Sequence, residues 1–330
     1  MRLRFLWCAA IVLLLGFLAV AQSSLIGPVE GFVFDPPSRS LRAVIGLVGA
    51  SSFGPILVRG VDYAAVAPRK DYAITVRGEN DMFVSGLSSG ILSTSTLPST
   101  VRRPEGAVWS GDGSVAVLYS RSGNWIQTLS GFPGEVTAAS SIDLTPLGGL
   151  LAVVAADQGG QRIAVGMGGD SGGVYVMDSG HAFAETLPIA QPVGLAFSGD
   201  GRTLYALDGA TAQVAAVDLT GFAPRSFPLN GLTDPIGLAI ASDSAGRQTI
   251  YVAGQRDRVL QSYDASSTAL LASVPLAFAP SSLAVFGNDS YILGPRASAS
   301  EPLWSFRAAP VPAVYFVPAA PLALPEGRRK

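Results

Sequence analysis

The sequence predicts an all-β chain wound into a β-propeller, with six blades of four antiparallel strands each. Three observations carry this expectation. The string Pro104-Glu105-Gly106-Ala107-Val108-Trp109-Ser110-Gly111-Asp112-Gly113 returns 88 residues later as Pro192-Val193-Gly194-Leu195-Ala196-Phe197-Ser198-Gly199-Asp200-Gly201, with six identities. Shorter copies open at Pro235 and Pro280, so the underlying period is about 44 residues, the length of a four-stranded blade. Past residue 21 no 3.6-residue apolar pattern is sustained, whereas short apolar runs bounded by Gly, Pro, Asp and Asn recur throughout.

In chain order, residues 31–35 and 41–46 read as a hairpin, the last two strands of a blade that lacks its first two. A ring escapes edge pairing when one terminus completes the final blade. The hairpin, or one of its strands, is therefore expected to join the blade at 280; a seventh blade forms instead if the hairpin recruits the strand at 313–317. A weak copy opens near Val61, with strands at 63–67 and 72–76. The copy at 104 continues into a strand at 114–119. The weakest opens near Ala139, with strands at 141–145 and 150–155. The successive starts at 61, 104, 139, 192, 235 and 280 are 43, 35, 53, 43 and 45 residues apart. The long interval points to an insertion at 156–172, a Gly-rich connection between the second and third strands of its blade.

The copy at 192 shows the logic of a blade. Residues 193–197 are continuously apolar, as expected of a strand buried between neighbours. Gly199-Asp200-Gly201 turns the chain, and strands follow at 203–207, 213–219 and 225–229. Pro228 suits an outer edge, where a missing N–H blocks unwanted pairing. In the last copy, residues 290–293 and 303–307 supply the second and third strands. The run from Pro192 to Leu207, followed by Val214-Ala215-Ala216-Val217-Asp218, resembles the YVTN/YncE-like repeat proteins, which overlap with lactonase-like and NHL-type propellers. The likeness extends over about five units. It departs where Tyr205-Ala206-Leu207 stands in place of the typical Tyr-Val-Ala-Asn. It implies an exported propeller and no particular activity.

Arg2 and Arg4 precede an apolar run over 5–21 that ends Ala19-Val20-Ala21, the pattern of a signal peptide cleaved before Gln22. The expected organisation is a leader over 1–21, a single propeller domain over 22–317 and a flexible tail over 318–330, rich in proline and ending Gly327-Arg328-Arg329-Lys330. The product is exported, periplasmic or extracellular, with no integral membrane segment after cleavage. Strands of about five residues are too short for a transmembrane barrel, which needs roughly 9–11. The sole Cys, Cys8, leaves with the leader, so neither disulfides nor thiolate ligands are expected. Only 14% of the residues are charged, and loss of Arg2 and Arg4 leaves 20 basic against 24 acidic side chains. That balance excludes nucleic acid as a partner.

Two motifs invite a chemical reading and fail it. Gly169-Asp170-Ser171-Gly172-Gly173 is the string around the nucleophile of chymotrypsin-like proteases, but that chemistry needs an imidazole base and an orienting carboxylate. In that family the histidine precedes the serine; here the sole His181 follows it. The glycines at 159–169 lack the helix N-terminus that a phosphate cradle requires. One His and no mature Cys exclude an ordinary transition-metal cluster, and calcium is the only cofactor left open, through Asp and backbone oxygens. Asp112 and Asp200 read as turn formers rather than ligands.

Charge collects on the loops of one face. The turns between second and third strands offer Arg77, Glu79, Asp81, Arg121, Asn124, Trp125, Arg162, Asp170, Asp208, Arg256, Asp257 and Arg258. The links between blades offer Arg102, Arg103, Glu105 and Asp234. The partner-binding residues expected from this set are Arg102, Arg103, Arg121, Trp125, Asp208, Asp234, Arg256, Asp257 and Arg258, with Trp125 as a flat apolar contact. No catalytic set is recognisable. The expected function is a scaffold that binds a protein, peptide or glycan through this face. The alternative is a lactonase- or glycosidase-like hydrolase with a metal or carboxylates in the central channel.

Overall fold

A computed structural model describes residues 27–68, 70–101, 103–178, 182–221, 223–287, 290–308 and 311–319. The expected leader, Arg102 and His181 lie outside the described residues. The described residues form seven antiparallel sheets. The first holds β1 (Val29–Asp35), β2 (Ser40–Leu47) and β3 (Ala50–Arg59). The second holds β4 (Tyr63–Val66), β5 (Tyr72–Arg77), β6 (Asn80–Ser85) and β7 (Ser93–Thr96). The third holds β8 (Gly106–Trp109), β9 (Val115–Ser120), β10 (Trp125–Ser130) and an outer strand split into β11 (Thr137–Ala138) and β12 (Ile142–Asp143). The fourth runs through β13 (Leu150–Ala156), β14 (Arg162–Gly168), β15 (Gly173–Asp178) and β16 (Ala184–Leu187). The fifth has β17 (Pro192–Phe197), β18 (Thr203–Asp208), β19 (Gln213–Asp218) and β20 (Arg225–Pro228). The sixth has β21 (Pro235–Ser242), β22 (Gln248–Gly254), β23 (Val259–Asp264) and β24 (Leu270–Pro275). The seventh has β25 (Ala284–Gly287), β26 (Ser290–Ile292), β27 (Leu303–Arg307) and β28 (Ala313–Val317). The inner strands β4, β8, β13, β17, β21 and β25 touch one another in that order, and β1 touches both β25 and β4. The ring is a β-propeller of seven blades.

Seven blades replace the six expected. The N-terminal hairpin neither joins the last blade nor recruits residues 313–317; it continues into β3 and forms its own sheet, while β28 is the outer strand of the seventh. β3 escaped sequence reading because Gly54 and Pro55 interrupt it and its register with β2 shifts twice. The weakest repeat is also reassigned. Ile142–Asp143 pairs with β10 and so belongs to the third blade, which makes Leu150–Ala156 an inner strand. With that correction the interval from Gly106 to Leu150 is a regular 44 residues. The supposed insertion at 156–172 contains β14, and Gly169–Gly172 is an ordinary turn before β15.

In a four-stranded antiparallel blade, lettered a to d outward, the b–c turns and the d–a links lie on one face, here the upper. The a–b and c–d turns lie on the lower. Apolar side chains fill the gaps between sheets. Leu207, Val214, Leu238, Val252 and Tyr263 join the fifth and sixth sheets, all but fully buried. Each such Leu contributes about 1.5–3 kcal/mol by leaving water. Inner strands approach closely enough to require glycine: a Cβ on Gly194 would lie 2.9 Å from the Leu238 backbone nitrogen, and one on Gly237 3.1 Å from that of Leu283. On the lower face, Ser198 Oγ donates to Asp200 Oδ1 at 2.6 Å and so does the Arg202 N–H at 3.1 Å. Ser110, Asp112 and Ser114 repeat this arrangement, and both aspartates are turn formers as expected.

The seam between the seventh and first sheets is built differently. Asp35, at the end of β1, is 3% exposed and accepts from Arg296 Nη1 at 3.2 Å, while Arg42 Nη1 lies 3.7 Å from its other oxygen. Both guanidinium groups stand over the Phe53 ring, 4.6 and 4.8 Å from its centre. Around them Val44, Phe286, Ile292, Leu303 and Val317 form a small apolar cluster.

Candidate binding face

The upper face distributes the expected site residues around its rim and does not gather them into one cleft. Arg103, in the link before β8, has φ 56° and holds its Nη2 3.9 Å from Glu79 Oε1. Arg121 donates from Nε to the Ala152 carbonyl at 3.1 Å and lies 5.4 Å from the Tyr119 ring centre. Trp125 is half-buried against the aromatic core of the second and third sheets, so most of its ring packs inward. Asp208 accepts from the Ala210 N–H at 2.9 Å and from the Thr211 hydroxyl at 2.7 Å. On the sixth blade the Asp234 carbonyl accepts from the Gln255 N–H, and Asp257 accepts from the Thr233 N–H at 2.7 Å. Arg256 and Arg258 flank Asp257, both exposed. Arg258 occupies the left-handed conformation at 51°, as do Asn124 and Ala212 at the matching positions of the third and fifth blades. Turn geometry therefore repeats while side-chain chemistry varies, which is how one scaffold presents a distinctive surface.

Several charges on this face are committed to structure. Glu105 accepts from Ser120 Oγ, the Arg121 N–H and the Ser122 N–H. The Ser122 hydroxyl, with these other donors, holds its carboxyl below the ordinary value. Arg77 donates to the carbonyls of Gly60 and Arg59, and Asn124 Oδ1 accepts from the Leu151 N–H at 2.8 Å. Arg162 is not on this face at all. It opens β14 at the lower end, 3.3 Å from Asp178 and donating to the Gly201 carbonyl at 2.8 Å.

One recess on the rim combines depth with unspent chemistry. Glu79, Asp81, Thr96, Ser99, Thr100 and Val101 line a cavity of about 190 Å³ between the second blade and the link to the third. Asp81 is 5% exposed, and its Oδ1 is buried with no hydrogen-bond partner. Burial raises its carboxyl above the ordinary value, against the opposing pull of the Ser99 hydroxyl. The wall behind it is rigid: Gln127, fully buried, accepts from Ser99 Oγ at 3.0 Å and the Thr100 N–H at 3.3 Å, and donates to the Ala139 carbonyl at 2.8 Å. A desolvated carboxyl with a free oxygen favours a donor brought by a ligand, because an unmade buried acceptor costs about 1–3 kcal/mol. A second cavity of about 290 Å³, lined by Asp208, Thr211 and Arg225, runs along the outer flank of the fourth and fifth blades. Among the described residues no three His, Cys, Asp or Glu side chains are grouped to hold a metal ion. No helix among them is long and apolar enough to cross a membrane.

Sequence reasoning named Asp81 and Arg103 but missed Gln127, Ser99 and the buried pair Asp35 and Arg296. Arg296 lies in the longest b–c connection of the ring, residues 293–302, and that length was the available signal.

No family model matches the chain, and no curated relative does. Solved structures do. A chain from a crystal structure of the Nidogen/Laminin complex aligns over 74% of this chain and 93% of its own length, at 11% identity and a TM-score of 0.50. At that identity the likeness supports the propeller fold alone.

Proposed function

We propose that the protein is an exported propeller that acts as a binding scaffold, taking a protein partner through its upper face. The observation that carries this reading is the Asp81 recess, where a buried carboxyl oxygen without a partner stands beside the Arg103–Glu79 pair. Arg256, Asp257 and Arg258 extend the polar rim on the sixth blade. The propeller neighbour drawn from a two-protein complex supports the same kind of use. The repeat resemblance to YVTN/YncE-like proteins, the leader over 1–21 and an exported location belong to this reading, and no cofactor is part of it.

Proximity labelling in the native organism supplies the partner, and binding of that partner to purified variants supplies the test. Arg103→Ala, Asp81→Asn, Arg256→Ala and Asp257→Ala are expected to weaken binding, the first two by at least tenfold. Four variants that bind as tightly as the parent would place the site elsewhere. Export is checked separately by the N-terminal residue of the secreted protein, expected to be Gln22.

A further inference from the structure

One turn on the upper face carries the parts of a reaction with itself. Of the four asparagines in the chain, Asn230 alone precedes a glycine. The pair lies in the link between β20 and β21, and both residues are exposed. Gly231 takes a left-handed φ of 71°, and a Cβ built on it would meet nothing within 4 Å. Its backbone nitrogen is therefore shielded neither by a side chain of its own nor by a neighbour. Among the described residues, neither the Gly231 N–H nor the Asn230 side-chain amide has a hydrogen-bond partner.

The peptide unit between the two residues is gripped by buried groups of the same blade. Gln261 and Tyr263 stand two residues apart on β23, 5% and 1% exposed. Gln261 Nε2 donates to the Asn230 carbonyl at 2.9 Å, and the Tyr263 hydroxyl donates to Gln261 Oε1 at 2.5 Å. The Asn230 N–H donates to Tyr263 Oη at 3.3 Å and closes the circuit. In such a chain each bond polarises the next. A donor on the Asn230 carbonyl draws charge toward that oxygen and makes the Gly231 N–H a stronger acid, since hydrogen bonding to a charged form favours it. The backbone is thus fixed while the Asn230 side chain is free to turn onto the nitrogen.

We propose that Asn230 is a self-modification site, deamidated by the Gly231 nitrogen, with Gln261 as a positioning residue. Hydroxide from solvent takes the Gly231 amide proton, and the nitrogen electron pair bonds to Asn230 Cγ. The Cγ–Nδ2 bond breaks, and the leaving nitrogen takes a proton from water and departs as ammonia. Water then opens the cyclic imide at either carbonyl. Attack at Cγ yields aspartate, and attack at the main-chain carbonyl yields isoaspartate. One water is consumed and one ammonia released. Either product adds a negative charge to the link whose Thr233 N–H holds Asp257 between Arg256 and Arg258. In isoaspartate the carbonyl gripped by Gln261 becomes the free carboxylate, so the link changes shape as well as charge.

Peptide mapping by mass spectrometry tests this on the chain from residue 22, kept folded at neutral pH. Asn230 is expected to deamidate at least tenfold faster than Asn80, which is also exposed but precedes Asp81. The rate should rise with pH, and isoaspartate should be detected by enzymatic methylation of its carboxylate. Gly231→Ala is expected to slow the reaction at least tenfold, with an unchanged circular dichroism spectrum. Gln261→Leu and Tyr263→Phe are each expected to slow it at least twofold. A grip that only stiffened the turn would give the opposite sign, because its loss would free the backbone and speed the reaction. Tyr263→Phe keeps the packing of the ring and decides the sign if Gln261→Leu does not fold. Equal rates at Asn230 and Asn80, or an unchanged rate in Gly231→Ala, would overturn the site. Faster deamidation in Tyr263→Phe would overturn the role of Gln261.

Discussion

The interface between the fifth and sixth blades and the seam between the seventh and first perform the same task by different means. In the regular interface, inner strands meet through glycine against leucine, at Gly194 and Leu238, backed by a broad apolar cluster. At the seam the apolar cluster is small and the buried Asp35–Arg296 pair is joined by the half-buried Arg42, both guanidinium groups standing over Phe53. A repeat can propagate one solution from blade to blade, but closing the ring joins two surfaces that the repeat never paired. The closure is therefore the one place where the chain needs residues of its own.

The contrast can be broken most severely at Asp35. Asp35→Ala leaves the buried Arg296 guanidinium and the half-buried Arg42 without a counter-charge and is expected to cost about 3–5 kcal/mol. Urea unfolding gives the magnitude, and hydrogen exchange should show β1 and β25 opening first. Leu238→Ala creates a cavity in the regular interface and is expected to cost about 3 kcal/mol, with exchange rising in the fifth and sixth blades instead. Gly194→Ala sharpens the comparison, since its Cβ meets backbone: a loss of about 1–3 kcal/mol is expected from overpacking. Ser282, at the matching position before the seam, already carries a Cβ, and Ser282→Ala should change stability by less than about 0.5 kcal/mol.

The smallest effects are in pH dependence, and they carry opposite signs. The Ser198 hydroxyl and the Arg202 N–H hold the Asp200 carboxyl below its ordinary value. Its contribution is present above the unfolded carboxylate range and is lost as pH falls through the lowered value, so Asp200→Ala should flatten the acid limb of a stability curve. Asp81 is raised by burial. The folded state there holds its proton longer, and stability is lost as pH rises above the unfolded value. Asp81→Asn should therefore match the parent near pH 4 and exceed it near pH 7.

What the sequence revealed follows from this division. Blade five was legible strand by strand, and blade six at its opening, because Pro192 and Pro235 begin apolar runs whose punctuation repeats. Asp112 and Asp200 were legible as turn formers for the same reason. The third blade was misread because its outer strand is broken into β11 and β12, which shifted the apparent start of the fourth. The first blade was misread because β3 contains Gly54 and Pro55 and because ring closure leaves no period to detect. Of the candidate face, Asp81 and Arg103 were visible as charges on predicted turns. The free oxygen of Asp81 was not, since desolvation arises from residues 96–101 folding back over it.

The central claim is that the N-terminal hairpin is part of a blade of its own, set against the inner strand of the seventh. In the folded chain a Cβ on Gly287 would lie 3.5 Å from the Glu30 carbonyl oxygen, across the seam. In a chain begun at Gln22, which leaves out Cys8, Glu30→Cys combined with Gly287→Cys provides the only two thiols. Mild oxidation should link them within one chain in high yield and raise the midpoint of thermal unfolding. Two reactive thiols that fail to join, or that join only between molecules, would contradict the seven-bladed closure.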